Sequence, residues 1–132
     1  MGKGKWELVI GKMKEDNVVL EKSYALALRM VKLYGYLTEE KREFVLSKQI
    51  LRSGTSIGAN MEEAVGAQSE KDFLSKISIG YKEARETRYW LRLLNDSGYL
   101  EEEQAQSLFM DIKEMLKLLG SINPEDNETK NS

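Results

Sequence analysis

Gln49-Ile50-Leu51-Arg52-Ser53-Gly54-Thr55-Ser56-Ile57-Gly58-Ala59-Asn60-Met61-Glu62-Glu63-Ala64 is the stretch on which the fold turns. Ile50, Leu51, Ile57 and Met61, with Phe44 and Val45 before them and Val65 after, recur at helical steps. Against a helix stand Gly54 and Gly58, because glycine costs about 1 kcal/mol relative to alanine in a helix interior. Two glycines four apart among small neighbours suit the close approach of another helix backbone. A break into two shorter helices is the alternative. No proline or Asn-Gly turn signal interrupts the stretch, so one continuous helix from Glu39 to about Val65 is expected.

Upstream, Leu20, Tyr24, Ala27, Leu28, Val31 and Tyr34 recur at three- and four-residue steps. They predict a helix from about Asn17 to Tyr36, capped by Asp16 or Asn17. Thr38 is the expected N-cap of the helix that follows, with Glu39 and Glu40 at its positive end. Downstream, Ser69 and Asp72 have capping spacing and open a third helix. Its face is Phe73, Ile77, Gly80, Ala84, Leu91 and Leu94, and it runs to about Asp96. Gly98 can take the left-handed position that stops it. A fourth helix spans about Glu101 to Leu119, with Ala105, Leu108, Ile112, Met115, Leu116 and Leu119 inward. The only proline of the chain, Pro124, lies beyond all four. Long helices with short connections make antiparallel neighbours, so the fold class is all-α, an antiparallel up-down-up-down four-helix bundle. The bundle domain is residues 17–120. Residues 1–16 form a leader, with Trp6–Ile10 open between a short strand and a flexible extension, and are given no role in the fold. Residues 121–132 are expected to be a disordered tail.

The chain has 132 residues, with no cysteine and no histidine. Disulfides, thiol chemistry and Ser-His-Asp catalysis are therefore excluded, as are His-containing zinc and di-metal sites. No run of about 18 apolar residues is present to span a membrane. A cytoplasmic location is expected, with no cofactor. The net charge of −2 gives no global field for nucleic acid, so any such binding rests on a local patch.

One such patch is visible. Lys82, Arg85, Arg88 and Arg92 follow at helical spacing on the third helix, interleaved with Tyr81, Tyr89 and Trp90. Arginine with aromatics suits a phosphate backbone with stacked bases. The same side chains suit a structural surface, where arginine stems cover apolar area, or a contact with a partner protein. The third helix as a whole carries six cations against five anions, and that near balance weighs against nucleic acid. Arg52 on the second helix extends the patch if both helices expose it together. Ser56, Asn60 and Glu63 form a second constellation on one helical stripe. Asparagine inside a helix competes with the backbone and calls for compensation. A buried polar network with Glu83 or Glu86 supplies it. A carboxylate site for metal or proton transfer is the other reading, weakened by the scattered acids. Surplus apolar side chains, Leu26, Met30 and Leu33 on the first helix and Tyr81, Tyr89, Trp90 and Leu93 on the third, predict a second buried surface against another subunit.

The quoted stretch resembles the Q-L-x-R-x-x-x-S-I-x-x-N-x-x-E signature of the four-helix bundle proteins encoded in intervening sequences of bacterial 23S rRNA genes. The likeness continues through Ser69-Glu70-Lys71-Asp72-Phe73, Ile79-Gly80, Glu83 and Gly98-Tyr99-Leu100, and spans about Val18 to Leu119. The resemblance implies an antiparallel bundle, a homo-oligomer that is commonly a pentamer, and no catalytic activity. That family is similar to the accessory protein of diversity-generating retroelements, which binds nucleic acid through a basic surface. The expectation is a non-catalytic bundle that acts by binding RNA or DNA. The alternative is a protein-interaction scaffold without nucleic-acid affinity.

Overall fold

The fold is that of a computed structural model, which describes residues 4–16 and 18–123. Five helices follow in order: α1 (Lys5–Asp16), α2 (Val18–Glu39), α3 (Leu46–Val65), α4 (Glu70–Asp96) and α5 (Glu102–Ile122). There is no strand among the described residues. The last four helices make the bundle. α3 lies between α2 and α4, and α5 closes the ring against both.

Side-chain pairs give the direction of each helix. Gly54 faces Met30 and Gly58 faces Ser23, so α3 runs against α2. Lys76 meets Glu63 while Thr87 meets Ser53, so α4 runs against α3. Lys22 pairs with Glu114 and Arg29 with Asp111, so α5 runs against α2. The topology is up-down-up-down, and the core is a column of fully buried side chains. Met30, Leu37, Ile50, Ile57, Met61, Ile77, Leu91, Leu94 and Ile112 each retain no solvent contact. Burying one such side chain is worth about 1.5–3 kcal/mol.

α3 is unbroken through both glycines, and each of them admits a neighbour. A Cβ at Gly54 would overlap the Met30 side chain, lying 2.6 Å from its sulfur. A Cβ at Gly58 would stand 3.3 Å from the Ser23 carbonyl oxygen. On α4, Gly80 does the same for α3, receiving the Met61 methyl. Close approach, at these points, outweighs the helix propensity that glycine forfeits.

Three expectations are corrected. The first concerns the second helix, which starts at Leu46 and not at Glu39. α2 runs on to Glu39, and the Thr38 hydroxyl donates back to the Tyr34 carbonyl at 2.8 Å instead of capping. The cap is Glu43. Its carboxylate accepts from the backbone N–H groups of Val45 at 3.2 Å, Leu46 at 3.0 Å and Ser47 at 2.7 Å. These are orphan donors of a helix start, where negative charge is also favoured. Arg42 takes a left-handed φ of 56° in the connection, and Phe44 and Val45 point to solvent.

The second concerns α2. Its inward face is Val19, Ser23, Leu26, Met30, Leu33 and Leu37. The stripe expected inside is turned outward, with Tyr24 64%, Leu28 49% and Val31 55% exposed. Both stripes are apolar at helical spacing, and only the neighbour decides between them.

The third concerns the leader. Residues 5–16 form α1, which packs on α2, α3 and α4. Ile10 and Met13 are buried, and the Trp6 ring lies 6.3 Å from that of Phe73. α5 also continues two residues beyond Gly120, to Ile122. The cap expected of Asn17 and the disorder expected of residues 124–132 lie outside the described residues.

The turns around α4 follow the sequence closely. The Ser69 side chain caps α4 by accepting from the Asp72 N–H at 3.1 Å. At the other end Gly98 has φ 82°, the Gly98 N–H bonds the Asn95 carbonyl and the Tyr99 N–H bonds the Leu94 carbonyl. That pair of bonds is the Schellman stop.

Two stability outcomes are expected. Gly54→Ala should lose about 1–2 kcal/mol, overpacking against Met30 exceeding the gain in propensity. Gly35→Ala on α2, where a Cβ meets nothing within 4 Å, should gain stability, by up to about 1 kcal/mol. Urea unfolding midpoints read both, and equal signs would contradict the packing account. Glu43→Ala should cost about 1–2 kcal/mol. Burial raises the Glu43 pKa, but the backbone donors of Leu46, Ser47 and Val45 overcome it, so the group titrates below its usual range. Its contribution is therefore complete above the ordinary carboxylate range and fades as pH falls through the depressed value. The gap between wild type and Glu43→Ala should shrink on acidification; a constant gap would show that the carboxylate charge is not what caps α3.

Candidate nucleic-acid interface

α4 is long and packs through one face only, leaving its other face in solvent. The inward residues are Phe73, Ile77, Gly80, Ala84, Thr87, Leu91 and Leu94. Lys82, Arg85, Arg88 and Arg92 fall outside that stripe, and all four are exposed. Arg85, Arg88, Tyr89 and Arg92 line a recess of about 270 Å³, open to solvent. Tyr89 stands 53% exposed within it, its ring held edge-on to Trp90 with centroids 5.1 Å apart. Among the described residues, none of the four cations makes an ion pair.

Arg52 differs. One guanidinium nitrogen lies 3.3 Å from a Glu83 carboxylate oxygen and the other bonds Glu86. Its charge is compensated within the α3–α4 contact, and Arg52 does not join the recess. The remaining paired cations are likewise tied between helices: Lys22 to Glu114, Arg29 to Asp111 and Lys76 to Glu63. Such exposed pairs contribute no more than about 1 kcal/mol each. What sets the α4 stripe apart is that four exposed cations, without an ion pair among the described residues, follow one another at helical spacing on a single helix.

The expected network of Ser56, Asn60, Glu63 and Glu83 is not assembled. Ser56 and Asn60 turn back on their own helix: the Ser56 hydroxyl donates to the Arg52 carbonyl at 2.7 Å and the Asn60 amide to the Ser56 carbonyl at 2.8 Å. Glu63 is exposed and 3.8 Å from Lys76, and Glu83 serves Arg52. Asn60 thus finds its compensation within α3. The buried polar contact between α3 and α4 is instead Ser53 with Thr87, whose hydroxyl oxygens lie 2.9 Å apart, Thr87 also reaching the Glu83 carbonyl at 2.7 Å. The signal for it was present: Thr87 falls on the Gly80–Ala84–Leu91 face, and a hydroxyl on a core face needs a partner. Among the described residues, no three acidic side chains converge as a metal site.

A second surface lies across the α2–α3 seam. Leu20, Tyr24, Ala27, Thr55, Gly58 and Ala59 line a largely apolar groove of about 320 Å³. Leu28 and Val31 continue it along α2.

The glycine-seamed bundle and its α3 sequence agree with one family model, that of the 23S rRNA-intervening sequence protein, over residues 15–121. The chain belongs to this 23S rRNA-intervening sequence protein family. A solved family structure is that of a protein of unknown function from the S23 ribosomal protein family of Bacteroides thetaiotaomicron VPI-5482. It is 54% identical, with a TM-score of 0.79, over 81% of this chain and 99% of that one. No curated protein matches the chain. The family match begins at residue 15, so nearly all of α1 precedes the shared intervening-sequence bundle. No described helix is long and apolar enough to cross a membrane.

Proposed function

We propose that this member of the 23S rRNA-intervening sequence family is a non-catalytic, cytoplasmic homo-oligomer that binds RNA or DNA through α4. The observation that carries the reading is the contrast in charge pairing. Lys22, Arg29, Arg52 and Lys76 are neutralised between helices, whereas Lys82, Arg85, Arg88 and Arg92 stand together and unpaired among the described residues. Unpaired, exposed guanidinium groups on one rigid helix are suited to successive phosphates. Tyr89, among them, offers a ring on which an unpaired base can stack. The patch is local, in a chain of net charge −2, so binding should be weak at high salt.

Assembly is the other part of the reading. The groove between α2 and α3, with Tyr24, Leu28 and Val31, is the apolar surface that a second copy would cover. It lies on the α2 side of the bundle, and α2 makes no contact with α4, so assembly leaves the basic stripe open. A pentamer is the subunit number that the family resemblance suggests. The same apolar face also supports the alternative, a protein-interaction scaffold without nucleic-acid affinity.

Fluorescence anisotropy with a labelled single-stranded RNA of about 20 nucleotides separates the two readings. Affinity should fall steeply with salt, and Arg85→Ala, Arg88→Ala and Arg92→Ala combined should flatten the log–log slope by about 2. Tyr89→Ala should weaken binding by about 1–3 kcal/mol if a base stacks there. Unchanged affinity in the triple variant would remove the stripe from the interface. No binding at low salt would leave the scaffold reading.

Light scattering tests the assembly. The wild-type chain should be oligomeric at concentrations of about 10 μM, and Leu28→Glu with Val31→Glu should reduce it to monomer, since burying unpaired charge is costly. A wild-type monomer, or an unaffected oligomer in the variant, would rule out the α2–α3 face.

A further inference from the structure

The α4 stripe begins beside the place where α5 ends. Ser78, Lys82, Arg85, Tyr89 and Arg92 succeed one another at steps of four, three, four and three, which aligns them along one face of α4. At the head of this line the Ser78 hydroxyl lies 3.5 Å from the Asn123 side-chain oxygen. Asn123 is the first residue past α5, and its ψ of 119° turns the chain out of the helix. Pro124 follows in the sequence, and a proline disfavours the helical conformation for the residue before it, in line with the extended Asn123. After it comes Glu125-Asp126-Asn127-Glu128, three carboxylates in four positions.

Distances along the stripe match that spacing. A helix rises 1.5 Å per residue, so Lys82 lies about 6 Å, Arg85 about 10 Å and Tyr89 about 16 Å from Ser78 along α4. An extended chain advances up to about 3.3–3.6 Å per residue, so Glu125 can reach about 7 Å from Asn123, Asp126 about 10 Å and Glu128 about 17 Å. Each carboxylate therefore falls within reach of a cation of the stripe. The cations they would meet, Lys82, Arg85, Arg88 and Arg92, make no ion pair among the described residues. Charge and reach both favour the same occupant.

We propose that the acidic segment Glu125–Glu128 binds along the Lys82–Arg92 stripe of its own chain and competes there with the phosphates of nucleic acid. The inference rests on the nucleic-acid reading for its consequence, but not for the contact itself. Carboxylates at neighbouring positions imitate the charge spacing of a phosphate backbone without its aromatic bases. The segment is a tethered competitor, so it sets a threshold that only a ligand making several phosphate contacts overcomes. Short ligands would be excluded and long ones admitted.

The test uses the full chain with Glu125→Gln, Asp126→Asn and Glu128→Gln. A control of equal charge change carries Glu21→Gln and Glu39→Gln on α2 and Glu40→Gln just past its end, α2 lying diagonally opposite α4. Anisotropy with the labelled single-stranded RNA at low salt should show at least about fivefold tighter binding in the segment variant than in the control, a gap that closes as salt rises. The second readout needs no RNA. The Nε–Hε resonances of Arg85, Arg88 and Arg92, recorded by ¹⁵N NMR, should shift in the segment variant and stay in place in the control. Equal RNA affinity in the two variants together with unmoved arginine resonances would overturn the proposal while leaving the nucleic-acid reading intact. Shifted resonances without RNA binding to any variant would uphold the contact and overturn the nucleic-acid reading.

Discussion

The bundle depends on how closely α3 is approached from two sides. Gly54 and Gly58 open one flank of α3 to Met30 and to the Ser23 backbone, and Gly80 on α4 takes the Met61 methyl from the opposite flank. Where a Cβ is missing, a neighbouring helix can come close enough to exclude water along its whole length. The dispersion and burial gained over that seam offset the propensity lost at each glycine. Ser53 and Thr87 add one hydroxyl contact inside the α3–α4 seam, which needs both helices in register to be satisfied.

Fixing α3 in this way decides what the other helices expose. α4 gives its small and aliphatic face to α3 and α5, and among the described residues its arginines are exposed and form no ion pair. Arg52 is the exception that explains the pattern. It lies on the seam itself, where Glu83 and Glu86 reach it, and so it is consumed in holding α3 to α4. On the other flank, α2 turns Leu26, Met30 and Leu33 inward and so presents Tyr24, Leu28 and Val31 outward. The molecule thus carries two unlike surfaces on opposite sides, one cationic with an aromatic ring and one apolar. In the proposed function the first meets phosphate and the second meets another copy, and neither obstructs the other.

Much of this was legible from residue types alone. Gly98 is legible because a glycine readily takes the left-handed position that ends a helix, and Ser69 because its spacing to Asp72 is a local signal. The α4 and α5 faces were legible because each carries one dominant apolar stripe. On α2 the core face is not legible in this way, because the helix carries two such stripes. The start of α3 is hidden because Thr38 and Glu39 have good cap chemistry in the wrong place, whereas Glu43 caps three N–H groups after a turn that holds Arg42 at positive φ. Ser56, Asn60, Glu63 and Glu83 share helical spacing, but spacing does not say whether a polar side chain turns to a neighbour or back to its own backbone. α1 is hard to read because Gly11 and the lysines mask a helix whose burial comes from the bundle it packs on, through Trp6, Ile10 and Met13.

By itself the sequence determined the helical class, the order of the bundle helices and the absence of imidazole and thiol chemistry. These follow from local spacing and from which functional groups exist at all. Only the tertiary structure decided which of two apolar stripes on α2 is core, which arginines are neutralised and which remain available. Those outcomes depend on what lies across a helix interface, and a periodicity of three and four residues is silent about the far side.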